Sequence, residues 1–411
     1  MGTRAAKPAT SLALVYRIAD WLMRQALEET DIEAVVVGCC ERLRAAGVPI
    51  SRGYFAFTIL HPLHQAIGIT WQRGQGTTTQ GYPHVPGGIS DSYRASPHYH
   101  MMQHDIDHLR APLHLQTEEL QFPVLTELRN DGYTDYFAFV VGFGDGKRSD
   151  RPEGFGMLGS WATDELTGFS DEEIEALLRV EQRLAVACKL AVKQRLMRNV
   201  AETYLGKDAT SHVLDGQIQR GDGQSIEAAI WYSDMRGSSA MADTMPRQEF
   251  IETLNAYFDV TGGAVHDAGG EILSFIGDAL LAIFPTDGTK RDATTTCKRA
   301  YAAAEDARNR LAILNKARKK DTLVPIEFGT ALHLGEVMYG NVGVPERLTF
   351  SVFGAAINEV ARLETLTKKL KMPILASEAF STACRHKSRD MGRHHLRGIG
   401  RDMTVFAPGR T

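Results

Sequence analysis

Apolar positions in this chain recur with two periods, and the period switches several times along its length. From Ser11 to Glu29, Leu14, Ile18, Leu22 and Leu27 fall near helical spacing, which predicts an amphipathic helix. A second helix is predicted after Thr30, with Ile32, Val36, Cys40 and Leu43 on one stripe and Gly47 and Pro49 ending it. GYFAFTIL and AIGITWQ, separated by His61 to Gln65, read as the strands of a hairpin. Arg73 to Gly88 is polar and glycine-rich and reads as a loop. FPVLTELRNDG predicts a short helix ending at Gly132, and YFAFVVGF and GFGMLGSWAT predict strands split by the charged turn GDGKRSDRPEG. Ser170 and Glu173 form a capping box. It opens a long helix with Ile174, Leu177, Leu184, Cys188, Ala191 and Leu196 at apolar positions and neither proline nor glycine before Gly206. Over 171–205 that helix would be about 50 Å long.

Past Gly206 the pattern breaks into short pieces at Gly216, Gly221 and Gly223, as in a connector. Strands and helices then alternate. A strand is predicted over 226–233, followed by a helix with Pro246 in its first turn, Gly269-Gly270 at its exit, and Phe250, Leu254, Phe258 and Val265 on its buried side. Next come a hairpin over 271–284, an alanine-rich helix from about 293 to 319, and IEFGTALHLG, which alternates with period two. YGNVGVPERLTFSVF reads as an exposed arm with a returning strand, GAAINEVARLE as an amphipathic helix, and PILAS and MTVFAP as late strands. The expectation is a mixed sheet with helices on one face, in an α+β chain of two domains.

Two apolar runs end at aspartates. IEAAIWYSD closes at Asp234, and Asp278 sits in a Gly277-Asp278 turn between EILSFI and ALLAIF. Carboxylates held at neighbouring strand ends can share divalent metals, and hard oxygen ligands suit Mg or Mn. Each aspartate alone is equally at home as a helix cap or a turn residue. Met235 and Arg236 come directly after Asp234 as further substrate-binding candidates, and Gly237, Ser238 and Ser239 follow as a small-residue turn that can offer backbone N–H groups to phosphate. Asn358 and Arg362 are four apart on one helix, so both project from one face.

In order, IWYSDMRGSS, GGEILSFIGDALLAIF, ALHLGEVMYGNVG and FSVFGAAINEVARLE resemble the catalytic domain of class III nucleotidyl cyclases, the adenylate and guanylate cyclases, over about Ile226 to Pro408. That resemblance implies a ferredoxin-like, palm-type fold and two Mg or Mn ions on Asp234 and Asp278. It also implies that Asn358 orients the ribose and Arg362 stabilises transition-state charge. Gly277, Arg397 and the turn after Asp234 would contact substrate. In the family the site is composite, the aspartates from one domain and Asn and Arg from another. One such domain therefore implies a head-to-tail homodimer, with the long helix after Ser170 placed to help pair the chains. Base selection departs from the family pattern. Ser274 stands where adenylate cyclases usually carry Lys and guanylate cyclases Glu, and Ser351 stands where adenylate cyclases carry Asp or Thr. Period two puts Ser274 on the face of Asp278, roughly 13 Å away at ~3.3 Å per residue. A serine hydroxyl donates and accepts, so it distinguishes the two purines poorly. ATP giving cAMP is the first expectation, with GTP or a pyrimidine triphosphate as alternatives and a non-catalytic nucleotide-binding regulatory module as the runner-up. GGEIL resembles the diguanylate cyclase signature only superficially, since it precedes the hairpin.

The remaining features narrow the picture. The 411 residues suggest two or three domains, divided as 1–200, a 201–225 connector and 226–411. The net charge of −4 leaves no basic surface to argue for nucleic acid. No apolar run is long enough to span a bilayer, and MGTRAAKPATS lacks the apolar core of a secretory signal. Five scattered cysteines argue against a disulfide framework, and a cytoplasmic protein is expected. The element order of residues 1–200 is similar to that of GAF domains, which implies a sensory or dimerisation role and a possible small-molecule ligand. Within it, His98, His100, His104 and His108 cluster, the last three spaced four apart as on one helical face. Such imidazoles could hold a metal or haem, or simply line a polar surface.

Overall fold

The computed structural model describes residues 10–28, 30–59, 61–86, 88–115, 120–143 and 156–409. The chain forms two compact units, Met1–Val200 and Ala201–Thr411.

In the first unit, α1 (Leu12–Leu27) and α2 (Ile32–Ala45) precede β1 (Arg52–Thr58), β2 (His64–Gln72) and β3 (Gly76–Pro83). Then come α3 (Asp91–Arg94), α4 (Pro97–Gln103), β4 (His108–Pro112), α5 (Pro123–Asn130), β5 (Asp135–Gly142), β6 (Gly156–Thr163) and α6 (Asp171–Leu205). The strands make one antiparallel sheet in the order β3-β2-β1-β6-β5-β4. β3 lies within the stretch expected as a loop. It is an edge strand whose residues are mostly exposed, so it needs no apolar face and its polar composition hid it. The predicted turn GDGKRSDRPEG lies outside the described residues. One face of the sheet presents Phe55, Phe57, Phe137, Phe139 and Trp161 to α1, α2 and α6. The rings of Phe139 and Trp161 stack 4.6 Å apart. Gly159 makes room for them, since a Cβ there would lie 1.9 Å from the Phe139 ring. The other face carries Tyr136, Ala138 and Val140 beneath α4 and α5. Helix α6 begins at the predicted capping box: Ser170 N–H donates to Glu173 at 2.7 Å, and Glu173 N–H donates to the Ser170 hydroxyl at 3.3 Å.

His100, His104 and His108 do not share a helical face. Helix α4 stops at Gln103, Asp105 takes a left-handed φ of 55°, and His108 starts β4. His100 and His104 lie ring to ring, tilted, with centroids 4.1 Å apart, while His108 stacks on Phe137. Buried His98 donates through Nε2 to the Gly159 carbonyl at 3.0 Å, and His108 Nε2 meets Glu181 at 2.8 Å. Among the described residues no three His, Cys, Asp or Glu side chains gather as a metal cluster. Cys39 and Cys40 are packing residues on α2, and burial pushes the Cys39 thiol up to about 12.

The second unit begins with α7 (Lys207–Leu214), inside the stretch expected as connector, whose Ala209 joins the core. It continues with β7 (Gly223–Met235), α8 (Ser238–Thr244), α9 (Arg247–Asp267), β8 (Glu271–Ile276), β9 (Ala279–Pro285), α10 (Lys290–Lys320), β10 (Phe328–Val344) and β11 (Arg347–Phe353). After these come α11 (Ala355–Leu370), β12 (Ile374–Ser377), α12 (Glu378–Cys384), β13 (Ser388–His395) and β14 (Asp402–Pro408). The sheet runs β13-β14-β12-β10-β7-β9-β8, with β11 paired to β10. It is mixed: β12 lies parallel to β10, and the other pairs are antiparallel.

Helices cover both faces, not one as the sequence suggested. Ala229 and Trp231 of β7 face α9, α10 and α12, while Ala228 and Ile230 face α7 and α11. Strong alternation in β7 and β9 builds two cores, and a central strand apolar on both sides cannot reveal which helix covers which face. The small residues Ala300, Ala303, Ala304 and Ala307 of α10 let that helix approach closely. In α9 the fully buried residues are Thr253, Tyr257, Thr261, Ala264 and Val265, with Phe250, Leu254 and Phe258 packed around the apolar ones and Pro246 at the N-cap, one position before the first turn.

Candidate active site

The site begins where β7 and β9 end. Asp234 stands opposite Ala279 in the β7–β9 register, and Met235 N–H donates to the Asp278 carbonyl at 3.3 Å. The turn at Gly277, with φ 65°, carries Asp278 back beside Asp234. Both side chains are half-buried. Burial, then the negative charge of Asp278, then that of Glu364 push the Asp234 carboxyl up to about 7, and the two aspartates can share a hydrogen bond. Two carboxyls in this relation compete for one proton or attract a cation.

Glu364 on α11 is a site residue that no motif in the sequence singles out. It is 8% exposed, and the Thr367 hydroxyl donates to it at 3.0 Å. Burial raises its carboxyl, and the Arg236 guanidinium opposes that rise. A signal exists all the same: two glutamates, 359 and 364, occupy buried positions of the helix beside Val360 and Leu363. Glu359 pairs with Arg401 at 3.2 Å and with His333 at 3.4 Å.

The other predicted residues fall in distinct places. Met235 packs into the core, and Arg236 reaches the Thr367 hydroxyl and the Met372 carbonyl, both at 3.5 Å. Gly237, with φ 75°, starts α8 at Ser238. Ser274 is half-buried on β8, and a bulge decides its direction. Register slips between Ile272 and Ser274, so Ile272 pairs with Ala282 but Ser274 pairs with Leu281. Phe275 then turns toward α9, its ring 4.4 Å from that of Phe258. Ser274 therefore lies on the Asp234 face of the sheet, because the extra residue in a bulge re-aims the side chains beyond it. Ser351 is buried on β11, a strand that touches β8. Arg397 is exposed in the turn between β13 and β14.

Asn358 and Arg362 are exposed on α11. Arg362 precedes Glu364 by two positions, about 200° around a helix. With Glu364 turned to Asp234, Asn358 and Arg362 point away. Within one chain, then, the aspartates meet each other and not the Asn/Arg pair.

Residues 223–407 match the family model described as the adenylate and guanylate cyclase catalytic domain.

This region belongs to that family.

The cyclase region is 34% identical over 166 residues to an adenylate cyclase of Anabaena cylindrica, covering 39% of this chain and 32% of that protein. It is 27% identical over 184 residues to adenylate cyclase 1 of Rhizobium meliloti, covering 44% of this chain and 27% of that one. The chain thus spans about a third or less of the length of these curated relatives. Among solved structures, the adenylyl cyclase CyaB from P. aeruginosa aligns with a TM-score of 0.41 at 21% identity, over 46% of this chain and 96% of that one. No helix among the described residues is long and apolar enough to cross a membrane.

Proposed function

We propose that the protein is a nucleotidyl cyclase that converts a nucleoside triphosphate, first of all ATP, into a 3′,5′-cyclic nucleotide and pyrophosphate. The observation that carries this reading is the Asp234–Asp278 pair at the β7/β9 strand ends, within a region of the cyclase family. Asp234 and Asp278 would hold two Mg or Mn ions. A carboxyl raised to about 7 by burial and then by its carboxylate neighbours fits that role, because a cation relieves the repulsion a proton otherwise relieves. The pair alone is an incomplete ligand set, as suits ions that keep waters and phosphate oxygens. When bound, such ions acidify the ribose 3′-hydroxyl and neutralise charge on the triphosphate.

The chain's own groups do the rest. In the turn after Asp234, Met235 and Arg236 spend their N–H groups on the Asp278 and Glu327 carbonyls, which leaves those of Gly237 and Ser238 to meet phosphate. Asn358 orients the ribose, and Arg362, always charged and forked, stabilises charge building on the α-phosphate. Because Asn358 and Arg362 point away from their own chain's aspartates, we assign them to the site of a second copy, in a homodimer with two equivalent sites. Ser274 and Ser351 lie near the base without the charge that would select it, and ATP ranks first because curated relatives named adenylate cyclase match the region. Residues 1–200 are proposed as a GAF-like sensory and dimerisation unit.

Complementation tests the shared site. Asp278→Asn homodimers lack a metal ligand at both sites, and Arg362→Ala homodimers lack the arginine at both. A mixed dimer keeps one intact site. Random co-assembly makes half the dimers mixed, so co-expression should restore about a quarter of wild-type activity. Verified heterodimers that stay inactive would refute the composite site. Turnover of none of the four nucleoside triphosphates with Mn, products read by mass spectrometry, would favour the non-catalytic regulatory module.

A further inference from the structure

The first unit encloses a cavity of about 530 Å³ on the sheet face opposite its main aromatic core. That volume is in the range of small-molecule sites. The sequence explains the space. Alternate positions of β1 and β6 turn Arg52, Tyr54, Ala56, Leu158 and Ser160 toward it, with small side chains at the centre of the floor. Tyr54, Tyr82 and Tyr136 form aromatic walls, and the Tyr54 and Tyr82 hydroxyls meet at 2.9 Å.

Its charge is one-sided. Three lining side chains other than tyrosine can ionise: Arg52, His98 and Glu127. His98 is buried with Nε2–H on the Gly159 carbonyl, and burial lowers its pKa, so it is neutral. Glu127 is exposed at the rim, where water screens it. Arg52 is half-buried, its guanidinium 5.7 Å from the Tyr54 ring centroid, and among the described residues no carboxylate pairs with it. A half-buried guanidinium against an aromatic wall, without a counter-ion, is a receptor for a planar anion.

We propose that this cavity binds a planar aromatic carboxylate, its ring against the tyrosines and its carboxylate on Arg52. Nothing in the cyclase chemistry requires the site, so its occupant is a separate ligand of the chain.

Isothermal titration of the full chain tests this, with 4-hydroxybenzoate, cinnamate and indole-3-carboxylate as probes, each beside its carboxamide. At least one acid should bind one-to-one and more tightly than its amide. Arg52→Gln should weaken that acid about tenfold or more and the amide far less. Ala56→Leu, which fills the floor, should abolish binding of both with the melting temperature kept. Ala66→Leu, lining the same cavity, serves as a second filling variant should the first fail to fold. Absence of binding by every acid at about 1 mM would overturn the proposal. So would equal binding of acid and amide in wild type and Arg52→Gln, or acid binding that persists in the filled variants. Tighter binding of cyclic AMP than of any acid would replace the ligand class.

Discussion

Asp278→Asn should make the metal-free protein more stable at neutral pH while abolishing its response to metal. The cause lies at Asp234, whose carboxyl stands at about 7 against an ordinary 3.8, burial first and Asp278 second among the reasons. A folded-state value above the unfolded one contributes stability that is fully present below pH ~4 and is lost as pH rises through about 7. At full strength, a rise of about three units is worth about 4 kcal/mol. Asp234 is half exposed, so solvent screening reduces this to about 1–2 kcal/mol. Removing the Asp278 charge removes part of that loss, on the order of 1 kcal/mol, or ~2–4 °C for a unit of this size. The Met235 N–H to Asp278 carbonyl bond is backbone to backbone, so the substitution spares the turn. The assay is thermal unfolding in chelator at pH 5 and pH 8, repeated with saturating Mg. Wild type should lose stability between the two pH values without metal and regain it with Mg. The variant should lose less, gain nothing from Mg, and be inactive. A variant that is less stable than wild type at pH 8 without metal, or equally stabilised by Mg, refutes the carboxylate-pair explanation.

Three further outcomes rest on individual contacts. Ser274→Lys combined with Ser351→Asp should raise the ATP-to-GTP activity ratio, since the two positions lie on touching strands, β8 and β11; an unchanged ratio means these positions do not read the base. Tyr257→Phe removes a hydroxyl that meets buried Ser233 at 2.6 Å, and should cost about 1–2 kcal/mol in urea unfolding. Ser170→Ala breaks one half of the capping box and should cost about 1 kcal/mol, read as a lowered melting temperature of the first unit.

Local signals were enough for much of this molecule. The Gly277-Asp278 hairpin, the capping box at Ser170, the uninterrupted helix to Leu205 and the placement of Asp234 at a strand end are each decided by a few adjacent residues, through turn geometry, end-group hydrogen bonds or period. Four ordered motifs made the cyclase family legible in the same way. Other features depend on chain segments far apart in sequence. Strand β3 is held by pairing along an exposed edge, which leaves no hydrophobic trace. The histidines of α4 part company because Asp105 turns the backbone left-handed and His108 joins β4. Ser274 faces Asp234 only because a bulge slips the β8 register. Glu364 reaches Asp234 from a helix that covers a sheet face the sequence does not name. Periodicity states which side of an element is buried, but not what it is buried against. A neighbour across the fold decides that, and with it the charge at Asp234 and the outward aim of Asn358 and Arg362.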